Sequence, residues 1–177
     1  AYVAWGSGAM VDTASTDLGT VVTGDSSYGY FGRSVANAGD LDGDGYDDMA
    51  IGADEEDRVY IQYGMASGLA GSWEAGDLSA TITNASTGYD FGYNVEGAGD
   101  VNGDGYDDLL IGSYYGQYGD SGAAYLVLGS STPWSGDTAA TAADQYIWGD
   151  NNNDYLAGRE ESMGSGDFDG DGYSDMA

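Results

Sequence analysis

The chain has 177 residues, enough for one ordinary domain, and its 31 acidic against three basic residues give a formal net charge of −28. It contains no histidine and no cysteine, which excludes a Ser-His-Asp triad, a thiol nucleophile, a disulfide framework and the usual zinc, haem or iron–sulfur sites. The charge excludes nucleic acid as a partner, and no apolar run approaches the ~20 residues that span a bilayer.

Short strands between tight turns are predicted along the chain. Glycine is abundant at 32 residues and Pro133 is the only proline. Apolar residues make up 41% of the chain, which argues against disorder. No segment holds a helical period, so the predicted fold class is all-β. In chain order the predicted strands are 1–5, 20–23, 34–38, 49–53, 58–63, 81–83, 94–98, 109–113, 123–128 and 145–148.

A repeat organises these strands. Residues 31–53 recur as 91–113, and a third copy of the acidic part of the repeat begins at Asp167. Each complete unit supplies four short strands in ~60 residues, which is typical of one antiparallel blade of a β-propeller. We therefore predict a single propeller segment over 1–177, which comprises the end of one blade (1–30), two blades (31–90 and 91–156) and the start of another (157–177).

The ends of the chain both fall inside a repeat. Propellers close with about 4–8 blades, so three units predict an incomplete ring in this chain. Either further chain or a neighbouring copy would complete the cut blade, and the second option gives a head-to-tail assembly. The sequence leaves this choice and the full blade number open.

The repeats resemble FG-GAP repeats, which build the N-terminal β-propeller of integrin α subunits and occur in many bacterial surface proteins. The resemblance implies that fold and a place outside the cell. Besides the acidic loops, the residues that carry it are Phe31-Gly32, Phe91-Gly92, Ile51-Gly52-Ala53 and Ile111-Gly112-Ser113.

The chain departs from the FG-GAP pattern in three ways. The proline that gives the family its name is replaced by Asp54 and Tyr114. The third unit has Ala157-Gly158 where Phe-Gly is expected. Residues 65–77 and 130–143 are long connections rich in Ser, Gly and Ala.

Three acidic loops share one pattern, with Asp at position 1, Asp or Asn at 3, Asp at 5, Gly at 6 and Asp at 9. Calcium takes about 6–8 oxygen ligands, and alternating short carboxylates, a sharp turn at Gly and the carbonyl of position 7 can supply them. The alternative, that these are only turn-forming residues, is disfavoured by their threefold recurrence. We predict one Ca²⁺ per loop, three in total, with these ligands: Asp40, Asp42, Asp44, Tyr46, Asp48, Asp100, Asn102, Asp104, Tyr106, Asp108, Asp167, Asp169, Asp171, Tyr173 and Asp175.

Details of the loops refine this prediction. An EF-hand needs a bidentate Glu at position 12 on a helix, but Ile51 and Ile111 stand there and lead into strand. Asn102 lowers the charge of the second site, which we expect to be the weakest. Asp47 and Asp107, at position 8, are expected to face solvent because alternate strand residues point opposite ways.

Aromatic residues are expected to pack rather than to bind ligand. Phe31 and Phe91 are placed to pack between neighbouring blades, and the glycine after each lets another backbone approach. The stretch 24–27 resembles a hydrolase nucleophile motif, but no histidine exists to act as its base. A sugar-binding surface is the alternative to packing for Trp5, Trp73, Trp134, Trp148, Tyr114, Tyr115 and Tyr118.

The function predicted is a calcium-binding, secreted or cell-surface propeller module with a structural or adhesive role in surface or matrix assembly. Its expected partners are calcium and other protein chains or the rest of its own propeller. Two alternatives stay open: a subunit of a self-assembling extracellular filament or surface layer, and a glycan-binding accessory module of a secreted enzyme. We expect no enzymatic activity of the chain itself, no nucleic-acid binding and no membrane insertion of this segment.

Overall fold

The computed structural model describes residues 2–3, 20–69, 71–83, 89–116, 119–139, 145–158 and 163–177. Strands dominate these parts, with two short 3₁₀ turns at Asp54–Glu56 and Ala75–Asp77. The strands are β1 Tyr2–Val3, β2 Thr20–Thr23, β3 Val35–Gly39, β4 Asp48–Ala53, β5 Arg58–Gln62, β6 Gly71–Glu74, β7 Ala80–Thr83, β8 Phe91–Gly99, β9 Asp108–Ser113, β10 Ala123–Val127, β11 Gly136–Ala139, β12 Gln145–Trp148, β13 Ser165–Gly166 and β14 Asp175–Met176.

Two antiparallel meanders form the centre of the fold. One runs β3-β4-β5-β7 and the other β8-β9-β10-β12. Their central strands β4 and β9 read Asp-Met-Ala-Ile-Gly-Ala and Asp-Leu-Leu-Ile-Gly-Ser and are almost wholly buried, because both faces and both edges are covered. The all-β fold with four-strand propeller blades is thereby confirmed, and the described residues form no closed ring.

Strands β6 and β11 correct the prediction that 65–77 and 130–143 are only connections. β6 pairs parallel with β2, and β11 pairs parallel with β7. In the sequence, β6 lies within the first complete blade and β11 within the second. In the fold, each pairs with the outer strand of the preceding blade and becomes the outermost strand there. A short polar segment such as Gly-Asp-Thr-Ala carries no alternation that would reveal this, because an edge strand is held mainly by its backbone.

The main core lies between the two complete blades. Phe91 is fully buried there, with Ile61 and Ile82 of the first blade and Ile111 of its own. Its ring meets that of Tyr125 edge-on, with centroids 5.1 Å apart, which confirms inter-blade packing at this position. Phe31 is only half-buried.

A second core cluster joins the first complete blade to the sheet β1-β2-β6. Val22, Ile51 and Tyr60 are buried in it, and Phe31 packs against it. The Phe31 and Tyr60 rings meet edge-on with centroids 5.3 Å apart. Phe31 is thus placed between blades as predicted, but with less protein around it than Phe91 has.

The third unit is displaced by one residue from the position that the repeat pattern predicts. A Cβ on Gly52 would collide with the carbonyl of Gly92, and a Cβ on Gly112 would collide with that of Ala157. Ala157 therefore takes the place of Gly92, and Leu156 that of the phenylalanine. Ala157 is buried and holds a φ of 52°, a left-handed conformation that is unfavourable for alanine.

Candidate metal centres

The three acidic loops are the hairpins that join the inner two strands of a blade: β3–β4, β8–β9 and β13–β14. In each, the carboxylate at position 1 accepts backbone N–H groups from positions 5 and 6. Asp40 accepts from Asp44 at 3.0 Å and from Gly45 at 2.9 Å. Asp100 and Asp167 repeat both bonds at 2.9–3.1 Å. The first carboxylate thus curls the loop around itself.

Positions 3, 5 and 6 complete the curl. Asp42 accepts the N–H of position 5 at 3.1 Å, and Asp44 accepts the N–H of Tyr46 at 2.9 Å. The position-6 glycines have φ of 92–94°, which side-chain-bearing residues rarely adopt. These local bonds explain why residues of this type at this spacing form the same turn three times.

Position 9 joins the loop to the rest of the blade. Asp48 is 3% exposed and accepts the N–H of Leu41 at 2.8 Å and that of Gly64, just past β5, at 2.7 Å. Asp108 is fully buried and makes the matching bonds to Val101 and Gly129, both at 2.9 Å. Asp175 accepts from Phe168 at 2.8 Å.

Burial raises the pKa of Asp48 and Asp108, the position-9 carboxyls of the first two loops. The pKa of Asp48 rises to about 6, chiefly because burial disfavours its charge; two backbone N–H bonds oppose the rise, and Asp42 and Asp40 add to it. Burial likewise raises the pKa of Asp108 and that of Asp42. A divalent cation among these groups would favour their charged forms.

Two loops have carboxylate geometry that fits one hard cation. Oxygens of Asp40, Asp42 and Asp48 lie within 4.8 Å of one another, as do those of Asp167, Asp169 and Asp175. Ligands about 2.3–2.6 Å from one calcium ion lie within roughly 5 Å of each other, so this spacing fits. The donors are all oxygen, which suits calcium rather than a softer metal.

The second loop differs at position 3. The Asn102 amide donates to Asp104 at 2.9 Å, and its oxygen accepts the Asp104 N–H at 2.8 Å. An amide thus replaces a charged carboxylate at position 3, while the position-1 carboxylate of this loop keeps its bonds to positions 5 and 6. The expectation that this site is the weakest stays a prediction.

The tyrosine side chains at position 7 make contacts between successive loops. The sequence prediction missed these contacts, because it assigns a role only to the backbone carbonyl of position 7. The ring of Tyr106 lies against Gly43 of the preceding loop, and the ring of Tyr173 lies against Gly103. Tyr46, in the first loop, is 44% exposed. The available signal was that all three position-7 residues are tyrosine.

Position 8 also links successive loops. The Asp107 carboxylate accepts the Asp40 N–H at 2.8 Å, and the Asp107 N–H donates to the Asp40 carbonyl at 3.1 Å. The prediction that Asp107 faces solvent is therefore wrong, because the preceding blade lies against it. For Asp47 the prediction is confirmed: it is exposed and accepts from the Asn37 amide at 2.9 Å.

A family model for the FG-GAP repeat matches residues 31–67 and 91–127. These two segments are FG-GAP repeats. Each contains one acidic loop and the strands on both sides of it.

The chain is also similar to integrin α subunits. It is 36% identical to integrin alpha-V of Gallus gallus over 97 residues, which is 48% of this chain and 8% of that protein. It is 36% identical to integrin alpha-IIb of Homo sapiens over 99 residues, 53% of this chain and 9% of that protein. With integrin alpha-4 of Xenopus laevis it shares 35% over 121 residues, 64% of this chain and 11% of that protein. The chain thus spans about a tenth of the length of these relatives.

The place of the missing FG-GAP proline is occupied by a charged cluster at the β4–β5 hairpin. Asp54 is buried, with Arg33 Nε 3.7 Å from its carboxylate. Asp57 accepts the N–H groups of Tyr89 and Phe91 at 3.2 and 3.1 Å. The hairpin therefore holds the Phe-Gly of the next FG-GAP repeat in position, a link that the acidic run 54–57 could have suggested.

Aromatic residues mainly pack, as predicted. Trp134 and Trp148 pack on the main core, and Trp73 packs on the second cluster. Tyr114 touches the rings of Tyr115 and Tyr155 at centroid distances of 4.9 and 5.3 Å. Trp5 and Tyr118 lie outside the described residues.

The stretch 24–27 behaves as a turn: the Ser26 hydroxyl accepts the N–H of Tyr28 at 3.3 Å.

Within the described residues no helix has the length and apolar character to cross a membrane.

Proposed function

We propose that the chain is a calcium-binding module of a secreted or cell-surface β-propeller, with a structural role in adhesion or matrix assembly. The observation that carries the proposal is the convergence of Asp40, Asp42 and Asp48 oxygens within 4.8 Å, repeated at the third loop. Each loop holds one ion through the ligand positions set out above, three ions in all. The FG-GAP repeats and the similarity to integrin α subunits support a propeller used in adhesion.

Calcium, when bound, supplies the positive charge that these crowded carboxylates otherwise lack. The chain's own residues do the rest. The position-1 carboxylate curls the loop through its bonds to positions 5 and 6. Asp48 and Asp108 connect the loop to the chain just past the third strand of the blade. An ion bound to the native loop alone raises stability by linkage, so we propose that the loops act as calcium-dependent clamps on each blade.

The proposed location follows from the same chemistry. Calcium sites of extracellular modules have dissociation constants of ~10⁻⁴–10⁻³ M, a range that leaves such sites filled outside cells. Three bound ions reduce the formal net charge from −28 to −22, which still keeps copies apart at low ionic strength.

The proposed role is non-enzymatic. The chain lacks histidine and cysteine, and both oxygens of the buried Asp48 already accept backbone hydrogen bonds. The packing of Trp73, Trp134 and Trp148 favours a core role over a glycan platform, so glycan binding is not proposed.

Thermal unfolding with calcium and with a chelator tests the proposal. We expect chelation to lower the Tm of the wild-type chain, and isothermal titration to give binding with millimolar or tighter affinity. Asp40→Asn should weaken the titration by removing a carboxylate from the first loop. Asp25→Asn removes the same charge from an exposed residue outside the loops and is the matched control.

Two results would contradict the proposal. One is an unchanged Tm after chelation. The other is equal calcium binding by wild type, Asp40→Asn and Asp25→Asn, because that would show diffuse attraction to a polyanion rather than binding in a loop.

A further inference from the structure

The second acidic loop contains the only Asn-Gly dipeptide in the sequence, Asn102-Gly103. The first and third loops have Asp-Gly at the same positions. An asparagine side chain reacts with the next backbone nitrogen most readily when glycine follows, because glycine has no Cβ to obstruct the approach. An amide is also a better electrophile than an ionised carboxylate. The second loop is therefore the one in which this reaction is chemically favoured.

The fold holds the two reacting groups in one tight turn. The Asn102 side-chain oxygen accepts the Asp104 N–H at 2.8 Å. This hydrogen bond closes a small ring, an Asx turn, that includes Cγ of Asn102 and the backbone nitrogen of Gly103. The same bond draws electron density away from Cγ and is placed to stabilise the negative charge that an attack on this carbon would put on the oxygen.

The loop also supplies a proton acceptor. The Gly103 N–H donates to the Asp100 carboxylate at 2.7 Å. The nitrogen must lose this proton to react, and a carboxylate at hydrogen-bond distance meets the geometric requirement for a base. The other end of the amide has a partner too, since the Asn102 amide donates to Asp104 at 2.9 Å.

Glycine is required at position 103 for reasons of packing. Its φ is 74°, and a Cβ there would collide with the ring of Tyr173. Asn102, Gly103 and Asp104 are exposed, so water reaches the dipeptide. The residue that lets the next tyrosine pack is therefore also the residue that leaves Asn102 open to attack.

We propose that Asn102 is a deamidation site set up by the second loop. The Gly103 nitrogen gives its proton to Asp100 and bonds to Cγ of Asn102, which closes a succinimide ring. The Cγ–Nδ2 bond breaks, and the departing nitrogen takes up a proton and leaves as ammonia. Water then opens the ring at either of its carbonyls, and the product is aspartate or isoaspartate. No oxidant or reductant takes part.

The two products have opposite effects on the loop. Aspartate at position 3 keeps the turn, because Asp42 and Asp169 accept the position-5 N–H at 3.1 and 3.0 Å in the other loops. It also adds the charge that those loops already have. Isoaspartate adds a carbon to the backbone within the turn, so the bonds from positions 4, 5 and 6 to Asp100 are disrupted. Only the consequence for calcium affinity rests on the proposed function.

Peptide mapping by mass spectrometry, on the full chain aged in chelator at mildly alkaline pH, tests the proposal. We expect Asn102 to deamidate at least about tenfold faster than Asn37 and Asn151, which are exposed but precede alanine and asparagine. The ratio to Asn37 should be larger in the native chain than in urea, because unfolding removes the turn. An isoaspartate-specific methyltransferase identifies the isoaspartate fraction. A rate no greater than that of Asn37, or a ratio no greater in the native chain than in urea, would overturn the proposal.

Asp100→Asn tests the proton acceptor. We expect it to slow deamidation of Asn102 about tenfold in the native chain and to leave the rate in urea unchanged. Asp25→Asn removes the same charge from an exposed residue outside the loops and should have no effect. Equal native rates in the two variants, or equal slowing by Asp100→Asn in urea, would contradict the part assigned to the loop.

The result is separable from that of the calcium experiment, because deamidation is measured as a mass change in chelator. Rapid deamidation of Asn102 in a chain that shows no calcium binding retains the deamidation site and rejects the proposed function. Calcium binding by a chain in which Asn102 stays intact retains the proposed function and rejects the deamidation site.

Discussion

The Asp48 carboxylate accepts the N–H of Gly64 at 2.7 Å, so the last residue of the first acidic loop is bonded to the chain just past β5. The second blade repeats the bond between Asp108 and Gly129 at 2.9 Å. Position 9 is therefore a structural link within the blade as well as a proposed ligand. A change at this residue should affect the whole blade, whether or not an ion is present.

Replacing Asp48 by asparagine should lower the free energy of unfolding by about 1–3 kcal/mol, because the backbone N–H of either Leu41 or Gly64 loses its carboxylate acceptor. Urea unfolding in chelator measures this effect without the contribution of an ion. Asp47→Asn, at the adjacent exposed position, should stay within about 0.5 kcal/mol of wild type. Equal stability of the two variants would contradict a linking role for Asp48.

Replacing Asn102 by aspartate should strengthen calcium binding at the second loop by roughly tenfold, since charge count tunes affinity in oxygen sites. The same change should lower the Tm in chelator, because it replaces the amide that donates to Asp104 by a like charge. Titration calorimetry and thermal unfolding measure the two effects. Asn151→Asp, at an exposed residue, adds the same charge elsewhere and should produce neither. Identical titrations of the two variants would count against a site in this loop.

Replacing Phe91 by alanine should cost about 3–5 kcal/mol, because the side chain is fully buried between two blades. Phe31→Ala should cost less, about 1–3 kcal/mol, because that ring is only half-buried. Chemical unfolding of both variants gives the comparison. Where Phe91→Ala does not fold, Phe91→Leu should still lose more stability than Phe31→Leu. The opposite order would show that the main core is not between the blades.

Replacing Asp90 by asparagine should raise stability at pH 7 and reduce its dependence on pH. Burial, with Asp54, Glu55 and Asp57 nearby, raises the pKa of Asp90 from 3.8 to about 6. A carboxyl whose pKa is raised on folding binds its proton more tightly in the native state, so its contribution to stability falls as pH rises from about 4 to 6. The gain at pH 7 should be of order 1 kcal/mol after allowance for solvent screening.

Unfolding of wild type and Asp90→Asn between pH 4.5 and 7.5 measures this prediction. Asparagine tolerates the positive φ of 54° at this position, so the comparison isolates the charge. The two curves should converge at the acid end, diverge as the pH rises to about 6, and keep a constant separation above it. Parallel curves would show that Asp90 has an ordinary pKa in the folded protein.

Much of the fold follows from local sequence. β2 and β12 begin and end at the predicted residues, and β4, β5, β7, β9 and β10 lie within one residue of prediction at each end. The acidic loops are equally local, since position 1 bonds to positions 5 and 6 of the same turn. Their composition and spacing suffice to predict oxygen-rich turns, so the candidate sites can be located from the residue pattern alone.

Tertiary structure decided the strand pairings and loop contacts that join residues distant in sequence. Thr20 pairs with Gly71 and Ala80 with Gly136, so nothing in the short polar segments themselves marked β6 and β11 as strands. Asp107 and Asp47 occupy the same loop position, yet among the described residues only Asp107 bonds to an acidic loop that precedes its own, whereas Asp47 accepts from Asn37 of the same hairpin. The sequence by itself determined the repeat, the blades and the chemistry of the turns. The packing of one blade on the next, which follows from contacts between distant residues, decided which copy of each repeated residue is buried and which remains exposed.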